Sequence, residues 1–177
     1  MIFVTIGTQM HFDRLVAAVD EWAGLTNAKD VFAQTGPSSY VPKYIRAKPF
    51  ITPQEFRDCV QQARIMVAHA GMGSILTALE FGKRIVVMPR LSHLGEHRSD
   101  HQVATARHLA GQGRIRIAAD RQALFSVLDQ LTNFDEIEPI SPVASPILIA
   151  TIRQFIESKY TNPASRRVQP QIGMLPD

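Results

Sequence analysis

Apolar residues along this chain of 177 residues fall into short uninterrupted runs separated by longer segments of mixed polarity. β-Branched and aromatic residues dominate the runs, which is typical of strands. Because the runs do not alternate apolar with polar positions, they favour strands that are buried on both faces. The predicted strands are Ile2–Ile6, Val31–Ala33, Phe50–Ile51, Ile65–Ala68, Ile85–Met88 and Ile115–Ile117.

The segments between these runs repeat apolar residues at three- and four-residue spacing, which indicates amphipathic helices. Strands joined by helices predict a parallel sheet that is covered on both faces. The predicted fold class is therefore α/β, with a Rossmann-like parallel sheet and helices on both faces. The predicted helices are Phe12–Trp22, Pro53–Gln62, Ser74–Phe81, His101–Leu109 and Arg121–Leu131.

Local signals mark several boundaries of these elements. Thr52 is a good N-cap ahead of Pro53, and Gly82 lies where the preceding helix should end. A proline-rich connector, Glu138–Pro146, precedes a further apolar segment, Ile147–Ile156, which predicts a C-terminal helix. The length suits a single domain, so we expect one domain over residues 1–160 and a flexible tail over residues 161–177.

Composition limits the class of protein. A hydrophobic fraction of 45% and a charged fraction of 20% are typical of a globular protein, and no apolar run is long enough to span a membrane. The N-terminus lacks the charged segment of a signal peptide, and the single cysteine excludes an intramolecular disulfide. We therefore expect a cytoplasmic protein. The net charge is +3, and the basic residues are scattered along the sequence rather than clustered. This argues against binding of nucleic acid and suits either an anionic small ligand or an anionic membrane surface.

Three polar stretches follow predicted strands at the edge where parallel sheets bind ligands. Gly7 and Thr8 follow the first strand, Gly71 and Gly73 follow the fourth, and a long polar loop follows the fifth. Glycine turns before helices present free N–H groups to anions, so two such loops can share a diphosphate. We therefore expect a nucleotide. The sequence is not a P-loop, and Leu76 occupies the third glycine position of a dinucleotide fingerprint.

Two residue groups allow other interpretations. The segment HLGEH, from His93 to His97, matches a zinc-hydrolase pattern, with His101 four residues further on. That pattern requires a helix, whereas Gly95 favours a loop, so we expect no metal site. His69, at the end of a buried strand, is either a hydrogen-bonded structural residue or a ligand contact.

Three stretches occur in order over roughly residues 2 to 112: IFVTIGTQMHFDRLVAAVDEW, FAQTGPSSYVPK and HAGMGSILTALEFGKRIVVMPR...GEHRSDHQ. Together they resemble the catalytic, donor-binding subunit of the two-part UDP-sugar transferases of glycosyltransferase family 28. The extended PR...GEH...DHQ loop is similar to that of the bacterial exopolysaccharide members.

This resemblance implies the donor-binding half of a GT-B glycosyltransferase, inverting and independent of metal, with a UDP-sugar as substrate and no cofactor. A glutamate of the family pattern is replaced by Thr77, and Glu80, one helical turn further on, is a possible substitute for its ribose contact. The catalytic base is not identified. The implied donor-binding residues are Gly7 and Thr8 at the diphosphate, His69, Gly71, Gly73 and Ser74 in the second glycine loop, Thr77 or Glu80 at the ribose, His101 and Gln102 at the sugar, and Arg90, Glu96 and His97 in the bacterial-type loop.

The resemblance also implies a partner. A transferase must align two substrates and remove a proton from the acceptor, and the chain shows no acceptor site of its own. In the family, the partner is a membrane-anchored subunit that binds a polyprenyl-linked sugar, which would place this chain at the inner face of the membrane. The alternative hypothesis is a regulatory subunit that binds a nucleotide sugar without catalysis, and Thr77 is its best support.

Overall fold

The computed structural model describes residues 1–130 and 137–161. Its chain divides into two units, Met1–Ile140 and Ser141–Asp177. The first unit contains all the residues that the sequence analysis identified as candidates for a site. The predicted boundary at residue 160 stays a prediction.

A six-stranded parallel sheet forms the centre of the first unit. Its strands are β1 (Ile2–Thr5), β2 (Val31–Gln34), β3 (Arg46–Lys48), β4 (Ile65–His69), β5 (Arg84–Met88) and β6 (Arg116–Ile117). They lie side by side in the order β3-β2-β1-β4-β5-β6. This arrangement confirms the predicted fold class. The adjacent strands β1 and β4 pair in register, with Ile2 opposite Ile65.

Helices connect consecutive strands except β2 and β3, and they lie at the segments that the apolar spacing predicted. Thr52 caps the second helix in a full capping box with Glu55, and Gly82 adopts a φ of 61° just beyond the third helix, so both predicted boundaries are confirmed. The helices of this unit are α1 (Asp13–Thr26), α2 (Pro53–Gln62), α3 (Met72–Glu80), α4 (His101–Gly111) and α5 (Arg121–Asp129), with a short 3₁₀ turn at Ser92–Leu94.

The core lies on both faces of the sheet. Successive strand residues contribute to opposite faces: Val4 packs in the cluster that includes α1 and α5, whereas Phe3 packs with α2, α3 and α4. All four residues of β1 are buried. Burial on both faces explains why the central strands have no polar alternation in the sequence.

The third strand was predicted at the wrong residues. The sequence favoured Phe50–Ile51, but β3 is the polar segment Arg46–Lys48, and the Phe50 side chain is 53% exposed. As an edge strand with three exposed residues, β3 is held by backbone pairing to β2, so no apolar run marks it.

The second unit contains α6 (Pro146–Thr161), which confirms a helix over the predicted segment Ile147–Ile156. Of the predicted flexible tail, residues 162–177 lie outside the described residues. Among the helices that the structure describes, none is both long enough and apolar enough to cross a membrane.

Candidate functional site

A depression of about 260 Å³ opens at the carboxyl ends of β1, β4 and β5. The structure thus brings together the three polar stretches that the sequence placed at this edge. Among the described residues that line it there is no carboxylate, which leaves a wall suited to an anion. The lining residues are Ile6, Gly7, Thr8, Gln9, Met10, His69, Gly73, Ser74, Arg90, His97 and Gln102.

The imidazole of His69 fills the space between the two glycine loops. A Cβ atom on Gly71 would lie 2.2 Å from Nε2 of His69, and one on Gly7 would lie 3.0 Å from its Cε1. Gly7 also has a φ of 76°, which other residues rarely adopt. Gly71 is therefore required for the histidine to pack between the loops, and Gly7 is favoured by its backbone conformation and by the close approach of the ring.

His69 is held in its neutral form. Burial, together with the smaller effect of the nearby charge of Arg90, lowers the pKa of His69 to about 4. A neutral imidazole offers one donor and one acceptor nitrogen, so it can hydrogen-bond a polar ligand without carrying charge.

We expect this histidine to make the fold sensitive to mild acid. The unfolded chain takes up a proton near a pKa of 6.5, whereas the native chain does so only near 4, so the free energy of unfolding falls as pH drops through this window. The loss amounts to about 2 kcal/mol between about pH 6.5 and about pH 5. Urea unfolding of the native chain and of His69→Gln across that range measures it, and parallel pH profiles for the two proteins would contradict the shift.

The second glycine loop leads into α3. Gly71 is the N-cap and supplies no side-chain hydrogen bond, so the first N–H groups of the helix are left for another partner. A Cβ atom on Gly73 would meet nothing within 4 Å, and the buried Ser74 adds a hydroxyl beside it. This helix end can bind an anion through its N–H groups and its dipole.

Arg90 is buried behind the depression and holds the loop that joins β1 to α1. Its Nη2 donates to the carbonyl oxygens of Ile6 and Met10 at 2.7 and 2.8 Å, and its Nη1 donates to those of His11 and Glu96 at 3.1 and 3.3 Å. Burial lowers the pKa of Arg90, and the charge of Glu96 opposes that shift. Arg90 therefore supplies positive charge and also fixes backbone geometry.

Glu96 is buried and does not line the depression. Arg14 donates to its two carboxylate oxygens at 2.7 and 2.8 Å, and the Leu91 N–H donates to one of them at 2.9 Å. With both oxygens occupied, Glu96 anchors the loop after β5 to α1. Its direct contact with a donor, which the resemblance implied, stays a prediction.

The zinc-hydrolase pattern forms a turn and a loop, as Gly95 indicated. His93 lies in the 3₁₀ turn, Gly95 adopts a φ of 69°, and the Glu96 carboxylate is held by Arg14. The ring of His97 contacts that of His101 edge to face, with 4.6 Å between centroids. Within residues 1–130 and 137–161, no three His, Cys, Asp or Glu side chains are arranged to hold a metal ion.

The two residues implied at the donor sugar differ in position. Gln102, 5% exposed, lines the depression, and its Oε1 accepts a hydrogen bond from the Arg90 N–H at 3.2 Å. His101 is exposed at the start of α4, where its Nδ1 lies 2.8 Å from the Ser99 hydroxyl, and it is not among the lining residues.

Thr77 and Glu80, the two candidates for a ribose contact, do not line the depression either. The Thr77 hydroxyl donates to the Gly73 carbonyl oxygen at 2.8 Å. Glu80 is the last residue of α3, about 10 Å along the helix from Gly73. Both assignments stay predictions.

A second depression of about 240 Å³ adjoins the first and shares Gly7, Thr8 and Ser74 with it. This region was not predicted from the sequence. Two signals could have indicated it: Gln34, which is a polar residue at the end of a buried strand, and the capped N-terminus of α2. The other residues that line the second depression are Thr5, Gln34, Ile51, Thr52, Pro53 and Phe56.

Solved structures of glycosyltransferases share this fold. A solution structure of ALG13 is 18% identical with a TM-score of 0.55, and covers 90% of this chain and 96% of that one. UDP-glucose:anthocyanidin 3-O-glucosyltransferase, solved with UDP, is 16% identical with a TM-score of 0.56, covering 76% of this chain and 31% of that one. The fold is that of the C-terminal half of GT-B glycosyltransferases.

Sequence comparison agrees with the structural one. The mouse UDP-N-acetylglucosamine transferase subunit ALG13 is 25% identical over 185 aligned residues, which cover 90% of this chain. The chain spans only 15% of the length of that relative. The family model for the glycosyltransferase family 28 C-terminal domain matches residues 1–140, the whole of the first unit. The chain belongs to the glycosyltransferase family 28 C-terminal domain family.

Proposed function

We propose that this chain is the donor-binding subunit of a glycosyltransferase that transfers a sugar from a UDP-sugar to a polyprenyl-diphosphate-linked acceptor. The acceptor is bound by a membrane-anchored partner subunit, and the chain works in the cytoplasm at the inner face of the membrane. The product serves exopolysaccharide biosynthesis, a proposal supported by the resemblance of the loop from Arg90 to Gln102 to the bacterial members.

The observation that carries this proposal is the chemistry of the first depression. Two glycine loops and the N-terminus of α3 line a wall whose described residues include no carboxylate, and the guanidinium of Arg90 lies behind it. Such a wall binds a diphosphate through N–H groups and positive charge. The same groups would stabilise the negative charge that develops on UDP as the sugar leaves.

The adjoining depression supports an elongated ligand rather than an isolated phosphate. Because the two depressions share Gly7, Thr8 and Ser74, one ligand can extend from one to the other with its diphosphate at these residues. Ile51 and Phe56 give the second depression an apolar side that suits the face of a base. We therefore assign the base and ribose to the second depression and the sugar to the first, towards Gln102.

Transfer in this proposal is inverting and independent of metal. The family pattern supports this, and the N–H groups together with Arg90 supply the compensation for the diphosphate charge. No cofactor takes part, because the UDP-sugar itself carries the leaving group. The relative ALG13 is named as a UDP-N-acetylglucosamine transferase subunit, which supports this UDP-sugar as the donor.

A regulatory subunit that binds a nucleotide sugar without catalysis is the second candidate. It is favoured by the position of Thr77 and Glu80, neither of which lines either depression. Among the described residues, no carboxylate therefore lies where the ribose is assigned. Both candidates require nucleotide binding, and they differ in whether sugar transfer occurs once the partner is present.

We expect UDP to bind the chain at least about tenfold more tightly than NAD, because the two loops suit a diphosphate and the dinucleotide fingerprint is absent. Isothermal titration calorimetry of the purified chain with each ligand measures the ratio. AMP is the control for general nucleotide affinity. Equal or tighter binding of NAD would contradict the donor-site assignment.

A further inference from the structure

Gly7 is held at both its N–H and its carbonyl group by a closed set of hydrogen bonds. Its N–H donates to the Thr5 hydroxyl at 3.3 Å, and that hydroxyl donates to Oε1 of Gln34 at 2.7 Å. Nε2 of Gln34 then donates to the carbonyl oxygens of Gly7 and Pro49 at 2.9 and 3.0 Å. Because Gln34 is buried and every polar atom of its amide is engaged, the amide has one favoured orientation.

Arg90 holds the same loop from the other side. Its guanidinium donates hydrogen bonds to the carbonyl oxygens of Ile6, Met10 and His11. Together, Gln34 and Arg90 engage four carbonyl oxygens between residues 6 and 11. These oxygens would repel a diphosphate if they turned towards it.

The N–H groups of this loop are left available. In a trans peptide the N–H points away from the carbonyl, so capture of the Gly7 carbonyl by Gln34 directs the Thr8 N–H to the opposite side. Among the described residues, the N–H groups of Thr8, Gln9 and Met10 have no hydrogen-bond partner. All three residues line the first depression.

Because of Gly7, the backbone conformation of this loop has to be held by hydrogen bonds from other residues. A glycine is required at its φ of 76°, but glycine also rotates to other conformations at little cost. A rotation about Gly7 would turn its carbonyl towards the ligand. Hydrogen bonds from other residues prevent this rotation, so the loop is already ordered before the ligand binds and binding costs less conformational entropy.

We propose that Gln34 and Arg90 are positioning residues of the donor site, which fix the loop of residues 6–11 with its N–H groups towards the diphosphate. This inference rests on the proposed function. Gln34 is the sharper case, because it carries no charge and its polar atoms are all engaged within the protein. Its effect on a diphosphate is therefore geometric.

The test compares ligands with and without the diphosphate. In Gln34→Leu we expect the affinity for UDP to fall at least about tenfold relative to that for uridine, and the affinity for inorganic pyrophosphate to fall by a similar factor. Gln34 also lines the second depression, but a changed contact with the base or ribose there affects UDP and uridine alike and cancels in their ratio. NMR titration of the chain with each ligand gives the three affinities. A role in general stability alone would leave the ratio of UDP to uridine affinity unchanged.

Two further variants separate geometry from charge and from folding. Arg90→Lys keeps the positive charge but lacks the planar fork, so the ratio of UDP to uridine affinity is expected to fall in it as well. Thr5→Val keeps the shape of the core and breaks only the links between Gly7, Thr5 and Gln34, so it provides the same test if Gln34→Leu fails to fold. In Thr5→Val the expected loss of UDP affinity is about threefold or more.

The matched control is Trp22→Phe, which removes a 2.8 Å hydrogen bond to Asp129 between α1 and α5, outside both depressions. It should lower the melting temperature and leave the affinity ratio intact. A native ratio of UDP to uridine affinity in Gln34→Leu, Thr5→Val and Arg90→Lys would overturn this inference while leaving the proposed function standing. Failure of the native chain to bind UDP would overturn the proposed function itself.

Discussion

The purified chain is expected to transfer almost no sugar alone, and to gain at least about a hundredfold in rate when a membrane-anchored acceptor subunit is added. One nucleotide-binding half cannot hold two substrates in line, and alignment of reactants accounts for several orders of magnitude in rate. It also cannot close a cleft that excludes water from the donor. Transfer from labelled UDP-N-acetylglucosamine to a polyprenyl-diphosphate-linked sugar in detergent, with a co-expressed membrane-anchored acceptor subunit, measures the gain.

Two variants locate the donor sugar within the assembled enzyme. Gln102 lines the depression, so Gln102→Ala should lower the transfer rate more than it lowers UDP affinity. His101 is exposed in the structure, and His101→Ala should act in the same way only if the assembled cleft brings this side chain to the sugar. Loss of UDP binding in both variants would place these residues at the nucleotide instead.

Several outcomes would contradict this account. Robust transfer by the chain alone would mean that the acceptor site lies within it. UDP binding without transfer in the presence of the partner would favour the regulatory subunit. The activity experiment therefore separates the two candidates, which nucleotide binding alone cannot do.

The fold was predictable because its central elements are governed by burial. Residues 2–5 and 65–69 form strands with almost no exposed surface, and burial on both faces leaves an apolar run that the sequence shows directly. The edge strand β3 was predicted at the wrong residues because backbone pairing to β2 holds it and all of its side chains are exposed. Side-chain hydrophobicity carries no information about such a strand.

The location of the site was predictable for a topological reason. In a parallel sheet the carboxyl ends of neighbouring strands meet at one edge, so Gly7, His69 and Arg90 had to lie near each other once the strands were identified. The partners of Arg90 and Glu96 were not predictable, because they are loop carbonyls and an arginine distant in the sequence. Residue type alone did not distinguish contact with a ligand from support of a loop.

Gln34 is another residue whose role could not be predicted from the sequence. The predicted second strand ended at Ala33 and no role was predicted for Gln34, yet this residue holds the carbonyl group of Gly7, 27 positions away. Only the pairing of β1 with β2 in register, with Thr5 opposite Gln34, places the amide there. Positioning residues of this kind depend on long-range register, which a single sequence does not encode in a local motif.

Gly73→Val is expected to lower UDP affinity at least about thirtyfold while leaving the melting temperature within about 2 °C of the native value. Gly73 lines the depression in the first turn of α3, where backbone N–H groups are free, and a branched side chain there keeps a phosphate from them. The fold should tolerate the change, because a Cβ atom at this position meets nothing within 4 Å and valine favours helix more than glycine does.

Gly111→Val provides the matched control for this substitution. Gly111 is the last residue of α4, a Cβ atom there also meets nothing within 4 Å, and it lies about 14 Å along the helix from Gln102. Calorimetric titration with UDP and thermal unfolding of both variants should therefore show loss of binding in Gly73→Val alone. Normal UDP binding by Gly73→Val would mean that this loop is only a turn, and that the diphosphate does not approach the N-terminus of α3.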